Sequence, residues 1–200
     1  MPGVRLATSP NSKNEVFSMN QAALFARMTL AMMTMMLGLS LSSPSHAISG
    51  SSIQLGSGVE HTQAAQVSLR WDWSKYWSLS EGWNASGFWE ASLGYMQSEG
   101  VGERSIWDVG FTPVFRLRPG ISRFYLEGGI GARYLSDKCL TNCRQLGSKL
   151  LFNDILGFGW NFGEKDRYEL GYRFQHNSNA YLADPNDGVN LHMIRLGFNY

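Results

Sequence analysis

Regular alternation of apolar and polar residues is the feature that most constrains how this chain can fold. In one segment Trp107 and Phe111 share one phase, whereas Asp108 and Thr112 share the other. A period of two residues is that of a β-strand, whose successive side chains point to opposite faces of the sheet. The pattern recurs in residues 53–59, 67–73, 89–95, 107–117, 124–134, 156–162, 168–174 and 194–200. The chain is therefore predicted to be all-β, with eight strands.

The composition of the two faces favours a membrane barrel over a soluble one. The apolar phase is rich in Trp, Tyr and Phe, which form the aromatic girdles of transmembrane barrels. The polar phase mixes arginines such as Arg116 and Arg173 with acids such as Glu127 and Glu169, which could pair in a narrow lumen. We therefore predict an eight-stranded antiparallel transmembrane β-barrel. A soluble lipocalin-like barrel, with its apolar phase inside, is the alternative.

The lengths of the connections orient the predicted barrel. Transmembrane barrels have short periplasmic turns and longer extracellular loops. Residues 119–122 and 163–166 form short connections, which we place on the periplasmic side. The longer connections, near residues 97–104, 136–148 and 179–189, are then extracellular.

The first 47 residues have the features of a secretory signal peptide. An apolar run over residues 28–39 follows Arg27 and precedes Ser45-His46-Ala47, a small-residue cleavage pattern. The run is shorter than the roughly 20 residues that a membrane helix needs, which disfavours a transmembrane anchor. We expect residues 48–200 to form the outer-membrane domain, with residues 1–18 preceding a true start at Met19.

Charge and cysteine content narrow the classes of partner. The formal net charge of +1 disfavours nucleic acid as a partner. Cys139 and Cys143 are the two cysteines, and an exported chain meets an oxidising compartment, so we predict a disulfide between them. A metal site, the alternative, would need further ligands that no nearby histidine supplies, so no metal is expected.

Two polar residues interrupt the apolar phase at the end of the seventh segment. Continuing the phase of Tyr172 and Phe174 brings in His176 and Ser178, which share one face about 7 Å apart along the strand. A histidine beside a serine is the minimum set for an activated oxygen nucleophile. A rim position near water is an equally simple reason for two polar residues. If the barrel lies in the outer membrane, this face meets the acyl esters of lipopolysaccharide.

The stretch Arg-Phe-Gln-His-Asn-Ser-Asn-Ala at residues 173–180, followed by Pro-Asn-Asp-Gly at residues 185–188, resembles the C-terminal signature of the PagL family of lipid A 3-O-deacylases. The resemblance is strong over residues 172–200 and elsewhere rests on strand number and length. It implies an eight-stranded barrel in the bacterial outer membrane that hydrolyses the 3-position acyl ester of lipid A without a metal or other cofactor. It also implies that His176 is the general base and Ser178 the nucleophile.

One position departs from that family pattern. The family places a Glu two residues after the glycine of the 185–188 turn, to orient the histidine, and this chain has Asn190 there. An amide oxygen can hold the imidazole tautomer, although it stabilises the imidazolium less than a carboxylate does. Asp187 is the substitute acid that we rank second. Asn179 and Asn186 are candidates for binding the oxyanion, but as turn residues they need no such role.

The prediction from the sequence is thus a serine-type ester hydrolase whose substrate and partner is lipid A. A non-catalytic small barrel, an adhesin or a structural membrane protein, is the second interpretation, since the same strand pattern fits both. The oligomeric state stays open between a monomer and a homodimer.

Overall fold

The computed structural model describes residues 48–98, 104–140 and 144–200. The predicted signal peptide, residues 1–47, lies outside this part of the chain. Nine antiparallel strands make up the described fold. They are β1 (Gly50–Gly58), β2 (Thr62–Asp72), β3 (Trp77–Ser78), β4 (Trp83–Ser98), β5 (Arg104–Pro119), β6 (Phe124–Leu135), β7 (Leu150–Phe162), β8 (Tyr168–Ser178) and β9 (Val189–Asn199).

Eight of these strands close into a barrel, which confirms the predicted fold class. Each long strand pairs with its neighbour in the chain, and β1 pairs with β9 to close the cylinder. The strand β3 is an addition of two residues that pairs with the start of β4 and lies outside the ring. No helix among the described residues is long and apolar enough to cross a membrane.

The outer face of the barrel is apolar along most of its height. Ile53 and Leu156 expose 56% and 69% of their surface, although neither is in a loop. The apolar phase of the sequence therefore points outward, as predicted, and the lipocalin-like alternative is wrong. Aromatic contacts tie neighbouring strands on this face, such as the stacked rings of Trp89 and Phe111. Such a surface suits the hydrocarbon of a bilayer.

A network of buried ion pairs fills much of the barrel interior. Glu169 accepts hydrogen bonds from Arg70 at 2.6 Å and from Arg116 at 2.7 Å, and it also pairs with Arg195. Each of these charges is compensated, which is the condition under which charges are tolerated away from water. The pairing that the sequence predicted for the lumen is confirmed by these contacts. Further buried pairs are Arg116–Glu127, Arg173–Glu127, Arg173–Glu90 and Arg133–Asp108.

The polarity of the two faces reverses at one end of the barrel. Residues 48 and 200, the ends of the described part, lie at the other end, which we call the termini end; the reversed end is the loop end. The interior of the loop end is apolar, with Leu151, Leu191 and Met193 buried. The outward positions beside them, including Asn190 and His192, are polar. Polar groups on the outer surface cost little only near the membrane boundary, so this reversal marks the edge of the apolar belt.

The connections follow the predicted division into short and long only in part. Residues 59–61 form a short connection at the loop end, and the predicted loop at residues 97–104 begins and ends in strand, with residues 99–103 outside the described part. At the termini end, residues 120–123 and 163–167 are short turns, and residues 73–82 form a longer connection that contains β3. At the loop end, two long loops lie against each other through their described residues, which are 136–140 and 144–149 of the first and 179–188 of the second. These two loops, together with the ends of β7, β8 and β9, frame the residues that the sequence singled out.

Candidate active site

His176 and Ser178 lie at the loop end of β8, on the outer face of the barrel. The strand places them in the same phase as Leu170, Tyr172 and Phe174, as the alternation predicted. His176 is half-buried. Ser178 is only 8% exposed. A serine this well shielded on an outward face must be covered by a neighbouring segment.

Gly188 provides that cover. The last residue of the 179–188 loop has a φ of +60°, which favours glycine. A Cβ atom built on it would lie 3.2 Å from Cε1 of His176 and 3.6 Å from Cβ of Ser178. The backbone of Gly188 therefore lies directly against both residues, and a side chain there would displace the imidazole.

Asn190 holds the imidazole of His176. The two residues are cross-strand partners on β8 and β9, and Nδ1 of His176 lies 2.6 Å from Oδ1 of Asn190. A carbonyl oxygen only accepts hydrogen bonds, so with this facing atom Nδ1 carries the ring proton. The lone pair of the ring is then on Nε2, the nitrogen left to take a proton. This tautomer is the one that a general base for Ser178 requires.

The hydroxyl of Ser178 forms no hydrogen bond with His176 in the described part of the chain. The two side chains share one face of β8, and the same glycine lies against both. Catalytic hydrogen bonds are often long before substrate binds and shorten in the reacting complex. A role of this pair in catalysis therefore stays a prediction at this point.

Asp187 has a different partner. Its carboxylate accepts a hydrogen bond at 2.7 Å from the backbone N–H of Gln145, in the facing 136–149 loop. Arg144, from the same loop, donates to the backbone oxygens of Asp187 and Gly188 at 2.8 and 2.7 Å. These contacts fasten the two loops together and fix Gly188 above the site. The geometry thus gives Asn190 the contact with His176 and gives Asp187 a role in the loop.

The two asparagines considered for the oxyanion have different surroundings. The side-chain N–H groups of Asn179 are used within the loops, on the carbonyls of Leu146 and Ala183, both at 2.8 Å. Asn186 accepts a hydrogen bond at 2.9 Å from the backbone N–H of Asn179, so its oxygen is the atom held there. Its side-chain nitrogen then remains to donate. Of the two, Asn186 is the one whose side-chain nitrogen has no bond within the described loops.

Asp154 is a site residue that the sequence reasoning missed. It lies on β7 as the direct cross-strand partner of His176, on the outward face. Its Oδ1 atom is buried without a hydrogen-bond partner. The signal was present in the sequence, because Asp154 occupies the same phase as Leu156 and Phe158, where an apolar residue is expected.

An apolar groove runs along the outer face beside this aspartate. It has a volume of about 620 Å³ and crosses β5, β6 and β7. Asp154 stands at its edge next to the catalytic strand. The groove is lined mainly by Phe115, Leu117, Leu126, Ile130 and Leu156.

The remaining predicted features are less defined. Cys139 is half-buried and forms no disulfide within the described residues; its predicted partner Cys143 lies outside them, so the disulfide stays a prediction. Within residues 48–98, 104–140 and 144–200, no group of three or more His, Cys, Asp or Glu side chains could hold a metal ion.

Comparisons with known proteins match this chain to the same family each time. A model of the family described as "Lipid A 3-O-deacylase (PagL)" matches residues 63–199. The "Lipid A deacylase PagL" of Pseudomonas aeruginosa is 30% identical over 147 residues, which cover 72% of this chain and 82% of that protein. The protein of the same name from Bordetella bronchiseptica is 34% identical over 102 residues, 50% of this chain. The match spans about half, 54%, of the Bordetella protein's length.

The same relationship holds for a solved structure. The crystal structure of the outer membrane enzyme PagL superimposes with a TM-score of 0.68 at 28% sequence identity. The superposition covers 76% of this chain and 99% of that one.

Proposed function

The chain belongs to the PagL family of lipid A 3-O-deacylases, and on that premise we propose that it hydrolyses the 3-position acyl ester of lipid A by a serine mechanism. The barrel lies in the bacterial outer membrane. The observation that carries the proposal is the placement of His176, Ser178 and Asn190 together on the lipid-facing side at the loop end. A non-catalytic barrel has no need for an oriented imidazole at a membrane-facing rim.

In the proposed first step, Oγ of Ser178 attacks the carbonyl carbon of the ester. Nε2 of His176 takes the hydroxyl proton, and Asn190 keeps the ring in the tautomer that leaves Nε2 free. The carbonyl oxygen gains negative charge, towards which the side-chain N–H of Asn186 is available to donate. His176 then passes its proton to the 3-oxygen of the departing sugar, which leaves an acyl-enzyme.

In the second step a water molecule attacks the acyl-enzyme. His176 takes a proton from that water and returns it to Oγ of Ser178, which releases a 3-hydroxy fatty acid and restores the enzyme. The products are the free acid and a 3-hydroxyl on lipid A, so atoms balance over the two steps.

The location of the site explains how an ester of a membrane lipid is reached. The loop end is the extracellular end in the predicted orientation, so the site faces the outer leaflet at the height of sugars and ester groups. Lipid A then needs to move only laterally in the membrane. The groove beside Asp154 offers an apolar surface along which the acyl chain extends away from the reacting carbonyl.

The test is mass spectrometry of lipid A from cells that express the protein. We expect loss of one 3-hydroxyacyl group with the wild-type chain and no loss with Ser178→Ala, with equal amounts of both proteins in the outer membrane. If Ser178→Ala modifies lipid A as the wild type does, the nucleophile assignment is wrong. If neither protein changes lipid A, the non-catalytic barrel becomes the better interpretation.

A further inference from the structure

The proposed mechanism leaves one charge without a counterpart. When His176 takes the proton of Ser178 it becomes an imidazolium. Asn190, its partner at Nδ1, is neutral. A neutral amide fixes the ring but contributes no opposite charge to the cation that forms in the transition state. Next to a half-buried ring an uncompensated charge is costly, so a carboxylate close to the ring would change the rate considerably.

Asp154 is placed to meet this need. A single row of cross-strand partners on the outer face runs through Ile130, Asp154, His176 and Asn190, on β6, β7, β8 and β9. Direct cross-strand neighbours have Cβ atoms about 4.5–5.5 Å apart. His176 therefore has the amide on one side and the carboxylate on the other, each on a direct cross-strand neighbour.

The surroundings of Asp154 indicate that it is not held there for stability. On its other side stands Ile130, and its neighbours along the outer face are those of the apolar groove. One of its oxygens is buried and has no hydrogen-bond partner. A carboxylate kept in such a place costs folding free energy, which is typical of a residue retained for function.

We infer that Asp154 is the electrostatic partner of His176: it stabilises the imidazolium through space while Asn190 fixes the tautomer. This inference rests on the proposed hydrolase function. Because Nδ1 is already bonded to Asn190, Asp154 acts through its charge and needs no hydrogen bond to the ring. The two tasks of orientation and charge stabilisation are thus divided between two residues on opposite sides of the histidine.

The experiment compares Asp154→Asn with the wild type, using purified, refolded protein and detergent-solubilised lipid A. We expect kcat to fall about 10- to 100-fold, as loss of a unit charge near the ring predicts, with KM changed less than about twofold. The midpoint of heat-modifiable migration on a gel should not fall, since the change removes a buried charge. Asp72→Asn, the same substitution at the termini end, is the matched control and should leave kcat unchanged.

A second variant tests whether charge is the relevant property. Asp154→Asn combined with Asn190→Glu moves the carboxylate to the other side of His176, and it should regain most of the lost kcat. The inference is overturned if Asp154→Asn retains wild-type kcat, or if the double variant is no more active than Asp154→Asn alone. Failure of the proposed function looks different, since Ser178→Ala would then match the wild type, and the inference would fall with it.

Discussion

The Nδ1 atom of His176 lies 2.6 Å from the Oδ1 atom of Asn190, across the pairing of β8 with β9. This contact fixes which ring nitrogen carries the proton. It does so with a neutral group, at the position where the family pattern has a carboxylate. The arrangement separates the orientation of the base from its electrostatic stabilisation, and the two can be tested independently.

Replacement of Asn190 tests the orienting contact. Asn190→Ala leaves Nδ1 without a partner, so the ring is free to rotate and we expect kcat to fall about tenfold or more. Asn190→Glu keeps an acceptor in place and adds a charge, so activity should be equal to or higher than that of the wild type. The measurement is release of 3-hydroxy fatty acid from lipid A. Wild-type activity in Asn190→Ala would contradict the assignment.

His176 and Ser178 should behave as one unit. Without the base the serine is a poor nucleophile, and without the serine the base has no role, so each alanine variant should lose several orders of magnitude in kcat. The double variant should lose little more than either single variant. Both residues lie at the rim and bury little apolar area, so heat-modifiable migration should be retained. Additive losses would mean that the two act separately.

Asp187→Ala should affect the loop more than the chemistry. The carboxylate of Asp187 accepts a hydrogen bond from the backbone N–H of Gln145. Loss of this carboxylate therefore loosens the contact between the two long loops. We expect kcat to change less than about fivefold, with faster protease cleavage of the 179–188 loop. Complete loss of activity in Asp187→Ala, together with no effect of Asn190→Ala, would make Asp187 the acid of the site.

Glu169→Gln should weaken the barrel as a whole. Glu169 is shared by Arg70, Arg116 and Arg195, and its neutralisation leaves three buried guanidinium groups undercompensated. Removing one partner of a buried ion pair costs about 3–5 kcal/mol. The midpoint of heat-modifiable migration should fall clearly, whereas Glu164→Gln, an exposed change in the 163–167 turn, should leave it unaltered.

The fold was predictable because the alternation is clear along most of the strands. In residues 107–117 Trp107, Val109, Phe111 and Leu117 are exposed on the outer face, so the phase identified both the strand and its lipid-facing side, although Val114 is buried inside. The strand ends were harder to predict. The strand predicted at residues 156–162 begins at Leu150 in the structure. The earlier start was not predicted, because Asp154 breaks the apolar phase there.

At the loop end, where the polarity of the two faces reverses, the site was predicted only in part. In β9 the inward residues Leu191 and Met193 are apolar and the outward residues Asn190 and His192 are polar, the opposite of the pattern lower in the strand. His176 and Ser178 could be found because they continue the two-residue spacing of Tyr172 and Phe174 within one strand. Pairing between β7 and β8 brings Asp154 to His176, and that register is a long-range property that no local pattern contains.

The ion pairs inside the barrel also bear on the barrier function of the membrane. Arg116, Arg133 and Arg173 pair with acids across the lumen, and Leu151 and Leu191 are buried at the loop end, so the described interior is filled with side chains. We therefore expect the described part of the barrel to pass neither solutes nor ions. Each copy in the outer membrane then adds no diffusion pore to it.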